Sequence, residues 1–306
     1  MVRICKPVLA VLAGLALVAG GCGSAATASP SNTSPSAGPT ASAALATPTP
    51  ANPDTLFDQS IAEGPDWKTF HLKIELSGTI KGSFLKDTEL GKLERIKSDV
   101  ALDGTVIEGD MDATNLACHL AITVPASPGA SAGSTPGDLI IKNSIAYLKP
   151  PGGGTKYNES TLRAMADFFG VKAPVPTPGG SSLVGIADAV STLRQHLEAN
   201  GATPTLAGIE RIGDRDAYRI NLALPLDKLN SDIAAAVASK DPALDVNVDS
   251  ASASLWIYTD NYQLAQVQMA GASSIAGNIT FTMTLTSFDQ PVTITAPAAS
   301  DIEPES

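Results

Sequence analysis

The stretch Phe70-His71-Leu72-Lys73-Ile74-Glu75-Leu76-Ser77-Gly78-Thr79-Ile80 sets apolar against polar residues at nearly every step. A period of two held for that length predicts a β-strand with one dry and one wet face. The pattern continues outward from it. Val100, Leu102, Gly104 and Val106 share a phase, as do Leu116, Cys118, Leu120, Ile122 and Val124. Asp138 to Lys149 reads as strand interrupted at Asn143-Ser144 by a turn or bulge, and Thr205 to Leu224 as a hairpin turning at Gly213-Asp214. Val246 to Thr259 and Gln263 to Ala270 flank a turn at Asp260-Asn261. Ile279, Phe281, Met283 and Leu285 then alternate with threonines, and Val292 and Ile294 close the pattern.

Helical spacing is found in four places. Asp54 to Glu63 carries Leu56, Phe57, Ser60 and Ile61, and Glu159 to Phe169 carries Leu162, Met165, Ala166 and Phe169. Leu183 to Glu198 carries Leu183, Ile186, Val190, Leu193 and Leu197, with Asn200-Gly201 as a stop, and Leu226 to Ser239 is the fourth. Long antiparallel strands with interposed helices predict an α+β fold: a strongly curved antiparallel β-sheet, a half-barrel, with helices packed on its concave side. Such a sheet either encloses an apolar space beneath its helices or fills it with side chains, and the sequence leaves both open.

The chain does not begin with this domain. Residues 1–21 carry Arg3 and Lys6, an apolar run from Val8 to Ala19, and Gly20-Gly21 before Cys22. Basic head, apolar middle and small residues at the end are the marks of an export leader, and the apolar run is shorter than the roughly 20 residues a membrane span needs. Cys22 after two glycines resembles the bacterial lipobox, in which the cysteine is acylated and becomes the mature N-terminus; Ala19 stands where that motif usually has leucine. Residues 22–53 then form a Ser/Ala/Thr/Pro tether too poor in apolar residues to fold. The folded domain is expected over 54–297, with an acidic tail at 298–306. Location on the extracytoplasmic face of the cell membrane, held by lipid at Cys22, follows from this layout.

The formal charge of the 306-residue chain is −11, and two units more negative once Arg3 and Lys6 leave with the leader. Nucleic acid and anionic headgroups are poor partners for such a surface, so attachment must come from the lipid anchor. Of the three cysteines, Cys5 leaves with the leader and Cys22 is the anchor. Cys118 is left alone, with the alternating neighbours of a buried structural thiol. The three histidines His71, His119 and His196 fall at polar positions. Asp245, Asn247 and Asp249 begin like a calcium loop, but Ser250 stands where glycine is required and Trp256 where glutamate is. Gly152-Gly153-Gly154 lacks the GK[ST] of a phosphate loop, and no HExxH or GxSxG is present. No metal, cofactor or catalytic residue is expected, and nothing argues for an enzyme.

The layout resembles the LppX/LprA/LprF/LprG lipoproteins of mycobacteria, themselves similar to the LolA and LolB lipoprotein carriers. The residues that carry the resemblance are Cys22, Leu139 to Asn143 with Ala146-Tyr147-Leu148, and Gly213 to Ile220. Leu255 to Tyr258 with Gln263-Leu264, and Phe288-Asp289-Gln290-Pro291-Val292-Thr293-Ile294, complete it. The resemblance implies a membrane-anchored lipoprotein whose apolar cavity binds acyl chains of lipids or lipoglycans and helps move them across the envelope, with a membrane transporter as a further partner. Cavity candidates on the strands are Leu72, Ile74, Leu76, Leu102, Leu120 and Ile122, with Ile220 and Leu222. Facing them from the helices are Leu162, Met165, Ile186, Val190 and Leu193. The rival reading is an envelope sensor or interaction lipoprotein on the same scaffold, its cavity plugged by large side chains, Trp256 and Tyr258 first among them.

Overall fold

Strand β1 (Thr69–Ile80) pairs along most of its length with two neighbours. On one side lies β12 (Gly277–Thr286), in register from His71 opposite Thr286 to Ile80 opposite Gly277, and on the other β3 (Thr105–Asp112). The computed structural model describes residues 52–63, 67–85, 98–115, 117–125, 136–152, 155–161, 201–238 and 247–304. From β3 an antiparallel meander continues through β4 (Ala117–Thr123), β5 (Gly137–Lys142), β6 (Ile145–Lys149) and β7 (Asn158–Thr161). From β12 a second meander leads back through β11 (Leu264–Ser273), β10 (Ser250–Tyr258), β9 (Arg215–Ala223) and β8 (Thr203–Ile212). The two-residue β2 (Val100–Ala101) pairs with the end of β1. All twelve strands belong to one open, curled, antiparallel sheet with β7 and β8 at its edges.

The alternation of the sequence becomes two continuous faces. A single register row runs Gly137, Ile122, Ile107, Ile74, Met283, Val267, Leu255, Ile220 and Leu206, one residue from each of nine strands. One residue over, the row reads Lys149, Asp138, Ala121, Glu108, Lys73, Thr284, Gln266, Trp256 and Arg219. Because side chains alternate with period two, a slip of one residue would exchange these rows, so the burial pattern itself fixes the register.

The curled sheet includes close backbone approaches at Gly78, Gly109 and Gly277. A Cβ on Gly109 would lie 1.9 Å from the His119 carbonyl oxygen, and one on Gly78, at φ +108°, 2.2 Å from that of Asn278. Glycine within a strand marks such bends. The Asn143-Ser144 step is a two-residue turn with φ of 54° and 62°, the left-handed pair that suits the strand twist of a β5–β6 hairpin.

Helix α1 (Pro53–Glu63) packs Leu56 and Phe57 into the apolar cluster of Ile220, Leu222 and Leu255. The four-residue α2 (Gly82–Leu85) follows β1, its Gly82 amide donating to Asp99. Helix α3 (Leu226–Ala238) uses the Asn230 amide to bracket both backbone polar groups of Val248. The helix expected over Glu159 to Phe169 begins instead as strand, since Asn158–Thr161 pairs with β6, and its remainder lies outside the described residues, as does Leu183 to Glu198.

After β12 the chain crosses the polar face. Ile294, with Val292 and Ile302 beside it, packs on Ile140 and Tyr147, and the Lys142 ammonium donates to the Ile294 carbonyl. Ile302 forms a parallel bridge with Tyr157 just ahead of β7. Gly109→Ala forces a methyl onto the His119 carbonyl and is expected to cost about 3 kcal/mol or more, a size typical of backbone strain in a packed sheet. Thermal melting against wild type checks it; an unchanged midpoint would mean the close approach is not structural.

Candidate functional site

The apolar face holds two closed clusters with a seam between them. One gathers Ile74, Leu76, Ile107, Leu120 and Ile122 with Leu85, Leu102 and Val124. The other gathers Trp67, Phe70, Ile220, Leu222, Leu255, Ile257 and Leu285 under α1. Leu72, Met111 and Met283 touch both clusters, yet each is only partly buried. Ile279 and Phe281 of β12 and Met269 of β11 are half-buried in the same way. The seam follows β12 from Ile279 to Met283, passes over Leu72 and ends at Met111. It is an apolar stripe in the centre of the sheet that the described residues leave incompletely covered.

The strand candidates divide accordingly. Ile74, Leu76, Leu120 and Ile122 are buried in the first cluster and Ile220 and Leu222 in the second, while Leu72 lies on the seam. Leu102 stands between β2 and β3 rather than on a strand, its amide donating to the Gly78 carbonyl. Leu162, Met165, Ile186, Val190 and Leu193 lie outside the described residues, as does Cys22. Sequence reasoning passed over Met111, Met269, Phe281 and Met283 as lining residues. The available signal was the run of methionine and phenylalanine where neighbouring strands use isoleucine and leucine, because methionine fits irregular and changing shapes.

Trp256 and Tyr258 do not plug this face. They are out of phase with Leu255 and Ile257, so the pleat turns them to the other side of the sheet. There both are buried in a small cluster with Ala217 and Ala265. The Arg219 guanidinium sits 5.2 Å from the Trp256 ring and that of Arg215 3.7 Å from the Tyr258 ring. Glu210 accepts from Arg219 and from the Trp256 indole, each at 2.9 Å, and these bonds hold its carboxyl below the usual range, Arg219 most strongly. Arg215 does the same to Asp260. The Tyr258 hydroxyl donates to the Leu285 carbonyl at 3.3 Å.

The rest of the polar face is paired locally. His71 Nδ1 lies 2.9 Å from Asp110, and His119 Nε2 3.0 Å from Asp138, as the polar phase of both histidines predicts. Tyr157 donates to Asp138 at 2.8 Å; burial, then this bond, pushes its hydroxyl up to about 12. Among the described residues no three His, Cys, Asp or Glu side chains are grouped to hold a metal ion. Surface depressions among the described residues include two of different size. The larger, about 730 Å³, is lined by Lys68, Thr69, Asp289, Gln290 and Pro291. Its polar atoms already serve one another, the Lys68 amide donating to Asp289 and the Thr69 hydroxyl to Gln290. The smaller, about 240 Å³, lies at the end of β10, β11 and β12 around Ser250, Gly271 and Asn278. Neither, among the described residues, brings a nucleophile together with a base.

No family model matches the chain, and no curated protein matches it in sequence. Solved structures with a similar chain path include the lipoprotein LppX of Mycobacterium tuberculosis, 15% identical over 80% of this chain and 100% of that one, with a TM-score of 0.43. LprF of Mycobacterium bovis is also 15% identical, over 80% of this chain and 96% of its own, at a TM-score of 0.41. A LolA superfamily protein of Nitrosomonas europaea is 10% identical over 79% of this chain and 96% of its own, at 0.25.

Cys118 faces Met111 and Ile141 in the first cluster, and burial pushes its thiol from 9.0 up to about 11. Its neutral form therefore favours folding fully below about pH 9, and that contribution is lost as pH rises toward 11. The native protein should resist a thiol reagent at pH 8 and react once unfolded in denaturant. Fast labelling of the folded chain would show Cys118 to be accessible.

Proposed function

We propose that this protein is a membrane-anchored lipoprotein that binds lipid acyl chains along the half-buried seam of its sheet and helps move them across the cell envelope. The observation that carries the reading is the stripe Ile279–Phe281–Met283–Leu72–Met111, which lies between two closed clusters and is itself only partly covered. A soluble domain has no reason of its own to leave a central apolar stripe half-buried, whereas alkyl chains gain about 0.8 kcal/mol for each methylene withdrawn from water. Such a site needs little directional bonding, which fits an apolar face without paired charges. Leu72 and the neighbouring Ile74, Leu76, Leu120, Ile122, Ile220 and Leu222 would form its floor, with Leu162, Met165, Ile186, Val190 and Leu193 as candidates for its cover. Cys22 would carry the anchor, and the tether would let the domain stand off the membrane by roughly 30 Å.

Trp256 and Tyr258 lie on the other face of the sheet, so they are not the side chains that would fill this seam. Native mass spectrometry of protein purified from a bacterial host is expected to show a lipid adduct of fixed stoichiometry that organic solvent strips away. A bare mass that takes up no lipid on incubation would overturn the reading. Met283→Trp, which fills the seam from within, should abolish the adduct while preserving the melting transition. Cys22→Ala should shift the protein from the membrane to the soluble fraction; retention on membranes would sink the anchor assignment.

A further inference from the structure

Gly271 of β11 is a glycine that its own backbone does not need. Its φ lies outside the left-handed region, unlike those of Gly78 and Gly277. Among the described residues, a Cβ built there meets only the Ser250 carbonyl oxygen within 4 Å, at 3.9 Å, which is ordinary contact. Gly78 and Gly109, in contrast, are enforced by neighbouring carbonyls. An unenforced glycine inside a strand weakens it, because it loses more chain entropy on folding and packs nothing. Among the described residues, the missing side chain leaves space above the apolar face. Gly271 pairs directly with Ile279, the first residue of the seam, and with Ala251 on its other side. The floor is therefore lowest where the seam reaches the end of the sheet, and at the far end it runs into buried Leu285 and Phe70 and the contact between Trp67 and Phe288, 4.7 Å apart.

We infer that Gly271 is the size-determining position of the site, over which an acyl chain passes to reach Ile279, Phe281 and Met283. The inference rests on the acyl-chain reading above. A leucine at 271 would displace about two methylenes of cargo from the floor, which corresponds to roughly ten-fold weaker binding.

The test uses the full chain carrying Cys22→Ala, stripped of lipid and incubated with palmitate, with the bound fraction read by native mass spectrometry. Gly271→Leu should lower palmitate affinity about ten-fold and Gly271→Ala by less. Ala270→Leu, one residue along and on the opposite face, should bind as the parent does. Melting of Gly271→Ala at or above the parent temperature is expected, since a strand glycine is being replaced where space allows. If the parent binds palmitate and Gly271→Leu binds it equally, this inference fails and the acyl-chain reading stands. Equal loss in Ala270→Leu also overturns it, because the effect is then not specific to the seam. A parent that takes up no palmitate overturns both.

Discussion

Everything in this fold hangs on the antiparallel pairing of β1 with β12. The first long strand of the domain and the last are joined over ten register positions, and each is also the inner end of a separate meander. Without that join there are two half-sheets, each with one apolar face and a raw inner edge. With it, Ile74 and Met283 complete a row of apolar residues that crosses nine strands, and Leu285, fully buried, locks the join from the apolar side. On the polar side the nearby bonds run within β1 or from β12 to β11 rather than across the join. Lys73 pairs with Glu75 at 2.9 Å, and Thr282 and Thr284 bond to Gln268 and Gln266 across to β11. Exposed pairs of this kind contribute at most about 1 kcal/mol each, so burial dominates.

The two faces are specialised in a way that composition conceals. Large aromatic side chains would ordinarily be assigned to the main core. Here Trp256 and Tyr258 instead build a second, smaller core on the polar face, roofed by Arg215 and Arg219 whose charges are in turn held by Asp260 and Glu210. At the other end of the same face the C-terminal segment covers Ile140 and Tyr147. Both arrangements set large rings on the face opposite the seam, and on the seam itself Phe281 stands among Ile279, Met269 and Met283.

Strand positions were legible because period two needs only a list of apolar residues. The β5–β6 hairpin, the turn at Gly213-Asp214 and the polar placement of His71 and His119 all follow from it. What alternation cannot convey is which apolar positions end up covered. Leu72 and Ile74 are equivalent in sequence, yet Leu72 lies on the seam and Ile74 in a closed cluster, because coverage depends on what packs above each strand. Strand neighbours were equally hidden: no local signal tells β1 that its partners are β3 and β12. The Glu159 to Phe169 segment was misread at its start because Asn158–Thr161 has little apolar content, and pairing with β6 decided its state instead.

The strand that joins the two halves is also the last one made. A chain leaving the ribosome, or a translocation pore, amino end first holds β1 through β11 before the keystone arrives, with Ile74 waiting for Met283 some two hundred positions downstream. Pairings this distant form slowly, since loop closure must precede any reward from contact. During that interval two unfinished sheets each present an apolar face and an open edge to their surroundings, the condition in which chains stick to one another. Sheltering the half-made molecule until β12 arrives therefore favours a folded product, a kinetic matter that the stability of the finished fold does not report.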